Sequence, residues 1–337
     1  MENFEDFIAE LKKENSPEEV KRNTTRYLEE IIPFYKNHGI TEEFKGVDDL
    51  QITCKSFHAK NPVAKVILCT GYNESYLKYS EFIQNLYEMD FSVYCFDHRG
   101  QGFSGRFINQ QKRGFVDKFS NYINDLSFFF EHVSSNEKNL PVFIIAHSMG
   151  GAITALAVNQ KKVNPSGIIL CAPMFEIMLA PYHFLEKPIY YLASIFCKMN
   201  LDKKFAPGQT DCIPFRPFEG NDVTHSLFRY NVWRKHISEI DDLQLGGPTY
   251  GWIKESVKAS IQARHINNLH NVPCLLIQAQ EDTVVRNSAH QIFLKNNPNC
   301  EYESIEFARH EILMEADVIR NRALYLIQNF ITKKLGK

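Results

Sequence analysis

The apolar positions of the chain fall into two rhythms. Five short runs, VILCT (66–70), VYCF (93–96), VFIIA (142–146), GIILCA (167–172) and CLLIQA (274–279), are continuous rather than alternating. Strands covered on both faces read this way, so the runs predict a parallel sheet. Between and after them lie segments of helical period: SEFIQNLYEM (80–89), FSNYINDLSFFFEHV (119–133), GGAITALAVNQ (150–160) and VIRNRALYLIQNFITKKL (318–335). Strands and helices taking turns imply right-handed crossovers with helices on both faces of the sheet. EEFKGVDDLQITCKSF (42–57) reads as an antiparallel pair at the sheet edge, preceded by helical sequence from residue 3 to about 36. The expected fold class is α/β.

The rhythm stops after residue 172. From 173 to 266 aromatics and prolines crowd the sequence, as in FEIMLAPYHFLEKPIYYLASIF and CIPFRPFEG, and no strand pattern returns before 272. An inserted, mainly helical subdomain is expected there. The division is then 1–172 for the first part of the core, with an N-terminal helical extension over 1–40, 173–266 for the insertion, and 267–337 for the second part of the core. The apolar residues of the insertion serve either its own core or a cleft for an acyl chain, and composition favours the core.

Whole-chain properties narrow the classes. A length of 337 residues suits one α/β domain carrying an insertion. A formal net charge of -2 lacks the basic excess of nucleic-acid binders, so no nucleic-acid partner is expected. The cysteines are scattered without a CxxC pair, and several sit inside apolar runs, as buried free thiols of a reducing compartment do. MENFEDFIAELKKENSPEEV has neither the basic start nor the apolar run of a signal peptide, and no apolar stretch approaches the roughly 18 residues of a membrane span. The expected location is the cytoplasm.

The candidate chemistry begins at FIIAHSMGG (143–151), where an apolar strand gives way to Ser148 and two glycines. In a G-x-S-x-G nucleophile elbow the serine takes a strained conformation on a strand-to-helix turn, and the residues two before and two after must be tiny. Here they are Ala146 and Gly150, so one methyl replaces the usual first glycine. The plainer reading of Ser148 is a helix N-cap. A serine hydroxyl needs a histidine to take its proton and a carboxylate to orient that histidine, in the chain order Ser, acid, His. LLIQAQED (275–282) supplies Asp282 just past a late strand, with Glu281 beside it as a competitor, and His310 follows the strand-like CEYESIEFA (300–308). His147 and His98 are less suitable, one being the elbow's own x residue and the other following an early strand. Oxyanion donors are expected from the backbone N–H of Met149 and, in the loop TGYNES (70–75), from Tyr72; the plainer reading of TGYN is an ordinary turn.

DHRGQGFSG (97–105) spells a formal GxGxxG after a strand, the mark of a dinucleotide site. Its glycines lead into RFINQQKRG, which has no helical apolar period, and no acidic residue ends the next strand. No nucleotide cofactor is expected, and the loop reads instead as a tight structural turn near the cleft. HExxH, EF-hand and Walker A patterns are missing, so neither metal nor cofactor is expected.

Taken together, DHRGQGFSGR, AHSMGG, CAPMF, GGPTYGW (246–252), the LLIQA strand and RHEIL (309–313) resemble the α/β-hydrolase superfamily, and within it the lysophospholipase L2 and monoacylglycerol lipase branch. The resemblance runs from about residue 40 to the C-terminus. It implies an α/β-hydrolase fold with a helical cap over an acyl tunnel, and a serine carboxylic-ester hydrolase releasing a fatty acid from a single-chain lipid. A lysophospholipid is the first expectation; a monoacylglycerol lipase or a lipid transacylase on the same triad is the alternative. It further implies Ser148 as nucleophile, Asp282 as acid, His310 as base, Tyr72 and Met149 as oxyanion donors, and peripheral contact with the cytoplasmic face of a membrane. TGYN stands where the monoacylglycerol lipase motif opens with HG, so the Tyr72 assignment relies on position. Arg99, Arg106, Arg113, Arg216, Arg229 and Arg234 are candidates to meet a phosphate head group, against the plainer reading of solvated surface charges.

Overall fold

The structure is a computed structural model describing residues 4–107, 112–136, 139–179 and 182–336. Part of RFINQQKRG and the extreme ends of the chain lie outside the described residues. The strands are β1 (Gly39–Lys45), β2 (Gln51–Phe57), β3 (Ala64–Cys69), β4 (Phe91–Phe96), β5 (Val142–His147), β6 (Gly167–Cys171), β7 (Cys274–Ala279) and β8 (Glu301–Ile305). They form one sheet in the order β1-β2-β4-β3-β5-β6-β7-β8. β1 and β2 pair antiparallel at one edge, and all neighbours from β4 to β8 are parallel. Each apolar run of the sequence is a strand of the parallel part, and the expected antiparallel edge pair is β1 and β2.

The helices are α1 (Phe4–Glu14), α2 (Pro17–Arg26), α3 (Ile32–His38), α4 (Ser80–Glu88), α5 (Phe119–Ser135), α6 (Met149–Asn159), α7 (Glu186–Lys198), α8 (Leu227–Glu239), α9 (Tyr250–Arg264), α10 (Asn287–Asn296) and α11 (Asp317–Lys334). Successive side chains of a strand point to opposite faces, so a strand buried on both sides feeds two cores. In β5, Ile144 and Ala146 join the core containing Tyr122 and Ile153, whereas Phe143 and Ile145 join the core containing Phe82 and Ile327. That is why these strands read as unbroken apolar runs. Among the described residues no helix is long and apolar enough to cross a membrane.

Residues 173–266 contain no strand among those described, and α7, α8 and α9 lie within them. α9 buries Trp252, Val257 and Ala263 in the same apolar cluster as β5 and α6 side chains, so it is packed into the core layer as well as against the rest of this segment. All eight cysteines are unpaired, and five of them are buried.

Candidate active site

At the carboxyl end of β5 the chain turns abruptly into α6. Ser148 sits at the turn with φ 51 and ψ -116, a left-handed conformation that costs a non-glycine residue about 1–3 kcal/mol. Its amide donates to the Cys171 carbonyl at the end of β6, and its carbonyl accepts from Met174 N–H, so the strained turn is held from both sides. Gly150 is obligatory: a Cβ there would lie 2.2 Å from the Cys69 carbonyl oxygen and 2.5 Å from that of Thr70, both backbone atoms that cannot yield. Ala146 is fully buried and fills the remaining space.

Three of the residues singled out in the sequence meet here. The Ser148 hydroxyl is 2.9 Å from His310 Nε2, and His310 Nδ1 is 2.8 Å from Asp282 Oδ2. Asp282 Oδ1 accepts the N–H groups of Val284 and Val285, at 2.8 and 2.9 Å. Burial alone would raise the Asp282 carboxyl, but His310 and these hydrogen bonds hold it below its ordinary value. It stays an anion, as an orienter of an imidazole must. Glu281 is exposed, and of the two acids it is Asp282 whose carboxylate meets His310.

The backbone N–H groups of Tyr72 and Met149 have no acceptor among the described residues. Met149 opens α6, whose first N–H groups have no partner within the helix and carry its positive dipole end. The Tyr72 hydroxyl is engaged elsewhere, donating to Gly246 C=O at 3.0 Å.

What shapes the Tyr72 loop was only partly legible. Gln101, the x between the glycines of DHRGQG, donates through Nε2 to the Gly71 and Glu74 carbonyls at 2.8 and 2.9 Å, and its Oε1 accepts from Asn73 N–H. Asp97 accepts from Ser75 Oγ, Tyr76 N–H and Phe103 N–H, each at 2.8 Å. A Cβ on Gly102, at φ 56, would collide with the Asp97 carboxyl. The GxGxxG is therefore a turn that clamps the neighbouring loop from below. His98, buried and pushed down to about 4 by desolvation, bonds to the Thr70 carbonyl.

Sequence reasoning missed a buried charge network beneath the histidine. Glu74 contacts His147 Nδ1 at 3.1 Å and Lys78 Nζ at 2.8 Å, and Lys78 reaches Glu311 at 2.6 Å. Tyr79 donates its hydroxyl to Glu74 at 2.7 Å. His147 Nε2 meets the backbone carbonyl of His310 at 3.0 Å. Both His147 nitrogens thus face acceptors, as an imidazolium requires, and two cations then balance two carboxylates. The only sequence signal was the i, i+4 spacing of Glu74 and Lys78.

Of the six arginines, Arg99 forms a bidentate pair with Asp125, and Arg229 is buried against Glu81 and Asp317. Arg106 donates to the carbonyls of Asp242 and Ser104, and Arg113 to that of Lys203. Arg99 and Arg229 are structural ion pairs rather than surface charges. Glu176, His183 and Glu186 bring potential ligand atoms together, but Glu186 is held by Arg264 and Glu176 by Arg286. Guanidinium groups already supply the positive charge a metal would bring.

A cavity of about 380 Å³ opens over Ser148 and His310. Met174, Ile177, Leu179, Val284 and Trp252 line it together with residues of α8, as in a site for a largely apolar ligand.

The family described as "Serine aminopeptidase, S33" matches residues 60–317. Lysophospholipase L2 of Escherichia coli strain K12 is 34% identical over 298 residues, 86% of this chain and 87% of that protein. The protein named probable lysophospholipase L2 in Haemophilus influenzae is 27% identical over 90% of this chain and 95% of its own length. The crystal structure of a soluble variant of monoglyceride lipase from Saccharomyces cerevisiae superimposes with a TM-score of 0.68 at 20% identity, covering 88% of this chain and 94% of that one, which shows a shared fold. The chain belongs to the serine aminopeptidase S33 family, has the α/β-hydrolase fold, and is a serine hydrolase.

Proposed function

We propose that this protein hydrolyses the carboxylic ester of single-chain lipids, lysophospholipids first, through an acyl-serine intermediate. The observation that carries the reading is the unbroken chain Asp282–His310–Ser148 at the floor of a mainly apolar cavity. The preference for a lysophospholipid is supported by the likeness to lysophospholipase L2 over most of both chains.

Ser148 Oγ attacks the ester carbonyl carbon while its proton passes to His310 Nε2, and Asp282 stabilises the resulting imidazolium. The carbonyl oxygen, now an oxyanion, accepts from the N–H groups of Tyr72 and Met149. The C–O bond to the glycerol breaks as His310 returns the proton to the departing oxygen. Water then attacks the acyl-serine with His310 as base, releasing the fatty acid and restoring Ser148. Segment 173–266 forms the cap over the site, with α9 shared between cap and core. An exposed apolar surface of that segment, Tyr182, Phe184, Tyr191, Leu192, Ile195 and Met199, with Lys187 and Lys198 exposed alongside, fits peripheral contact with an anionic lipid surface on the cytoplasmic side.

Fatty-acid release from a lysophospholipid and from a monoacylglycerol of the same acyl chain, by native protein and Ser148→Ala, tests the reading. Serine-dependent release favouring the phospholipid is expected. Release from the monoacylglycerol alone would transfer the assignment to a monoacylglycerol lipase, and acyl transfer to added acceptor lipid to a transacylase.

A further inference from the structure

The cavity over Ser148 is uneven in charge. On α8, Tyr230, Trp233, Arg234 and Ile237 recur at i, i+3, i+4 and i+7 and so turn one helix face to the cavity. Trp233 and Ile237 are buried, while Tyr230 and Arg234 are half-buried. The carboxylates at this end are already matched, Glu74 by Lys78 and His147 and Glu311 by Lys78.

Arg234 lacks the carboxylate partner that Arg99 and Arg229 have. It donates one N–H to the Ile213 carbonyl, its Nε has no acceptor, and among the described residues no carboxylate lies within ion-pair distance of it. The Arg216 charge acts on it. Tyr230 donates its hydroxyl to the backbone carbonyls of Arg216 and Pro217, which seats that loop beside α8. Arg216 and Arg234 both line a surface groove that adjoins the catalytic cavity through Arg234, which lines both. Lys235 also borders this groove but is paired with Glu239. Burial and the Arg216 charge lower the Arg234 pKa, opposed by Tyr230, Cys212 and Glu311.

The Arg216 and Arg234 charges line one groove and repel each other, and packing offers no compensation for an exposed Arg216. An anion bound between them removes that repulsion, and a phosphate presents the oxygens a guanidinium fork matches.

We propose that Arg234 and Arg216 form the subsite for the phosphodiester of a lysophospholipid head group, at the outer end of the cavity whose apolar side takes the acyl chain. This rests on the ester-hydrolase reading and adds to it the feature that discriminates a phosphorylated from an uncharged glycerol head.

The test compares kcat/KM for lysophosphatidylethanolamine and for a monoacylglycerol of the same short acyl chain, both kept monomeric, in native protein, Arg234→Gln, Arg234→Lys and Arg216→Gln. Loss of a charge-assisted hydrogen bond should lower the phospholipid-to-monoacylglycerol ratio about ten- to hundred-fold in Arg234→Gln, through KM for the phospholipid. Arg216→Gln should lower it several-fold, and Arg234→Lys should restore part of the loss. Covalent labelling by a fluorophosphonate reports that each variant retains a folded site, and the exposed Arg216 decides the case if Arg234→Gln fails to fold. A ratio unchanged in the folded glutamine variants overturns the subsite and leaves the ester-hydrolase reading intact. Native protein that hydrolyses neither ester overturns that reading and the subsite with it. Inorganic phosphate is the remaining arm: inhibition abolished by the variants while the substrate ratio stays constant would assign the arginines to free phosphate and overturn the head-group role.

Discussion

His147 Nε2 lies 3.0 Å from the backbone carbonyl oxygen of His310, so the residue preceding Ser148 holds in place the histidine that Ser148 faces. Through its other nitrogen His147 meets Glu74, four residues before Lys78, and Glu311 follows His310 directly. The elbow, the Tyr72 loop and the histidine loop are tied by one buried electrostatic network.

The network should be visible in stability as a function of pH. Burial opposes charge on both groups, but Lys78 and His147 hold the Glu74 carboxyl well below its usual range, and Glu74 holds His147 above its own. The carboxylate's contribution is present above the ordinary glutamate value of 4.5 and is lost as pH falls through the depressed folded value. The imidazole's is complete below 6.5 and is lost as pH rises through the raised folded value. Glu74→Gln should therefore cost about 3–5 kcal/mol, with the largest difference from native protein between those two ordinary values. Urea unfolding from pH 4 to 9 checks this, and a difference that stays flat up to pH 9 would contradict a charged His147.

Asp282 and Glu281 separate cleanly. Asp282→Asn leaves His310 in the wrong tautomer and should lower kcat by roughly 10⁴-fold. Glu281→Gln, at an exposed side chain, should leave kcat within about twofold of native, since exposed charges act weakly. Ester hydrolysis by the two variants decides between the acids, and equal losses would defeat the assignment.

The strain at Ser148 should be recoverable as stability. Glycine accepts φ 51 without penalty, so Ser148→Gly should abolish hydrolysis while stabilising the fold by about 1 kcal/mol or more. Thermal unfolding of the variant beside Ser148→Ala checks this. A glycine variant no more stable than the alanine one would mean that the turn holds no strain.

Gln101 holds the Tyr72 loop through three hydrogen bonds. If the Tyr72 N–H is an oxyanion donor as proposed, Gln101→Ala should leave substrate KM nearly unchanged and lower kcat about 10- to 100-fold, because misplacing such a donor weakens binding of the transition state but not of the ground state. Steady-state kinetics on the ester separates the two, and an effect confined to KM would assign Gln101 to substrate binding instead.

The amino-acid sequence by itself determined the parallel sheet and the places where its strands meet loops. Continuous apolar runs of strand length and helices of regular period are local properties, set by which faces each segment must bury. The positions of Ser148 and His310 could also be read, because the end of a buried strand and the loop before a last helix are marked by the same local patterning. Only the tertiary structure decided between Asp282 and Glu281, since neighbouring residues share every sequence argument and differ in which side chain turns inward. Only the tertiary structure joined Glu74, His147 and Glu311, which come from the end of β5 and two loops far apart in the chain and meet where parallel strands end side by side. The same holds for Gln101: the sequence marked its GxGxxG as a tight turn near the cleft, and only the fold brought its amide onto Gly71 and Glu74. For the arginines, charge alone was legible. Whether a guanidinium finds a carboxylate, as Arg99 and Arg229 do, or finds none among the described residues, as Arg234 does, depends on what long-range packing brings within about 4 Å of it.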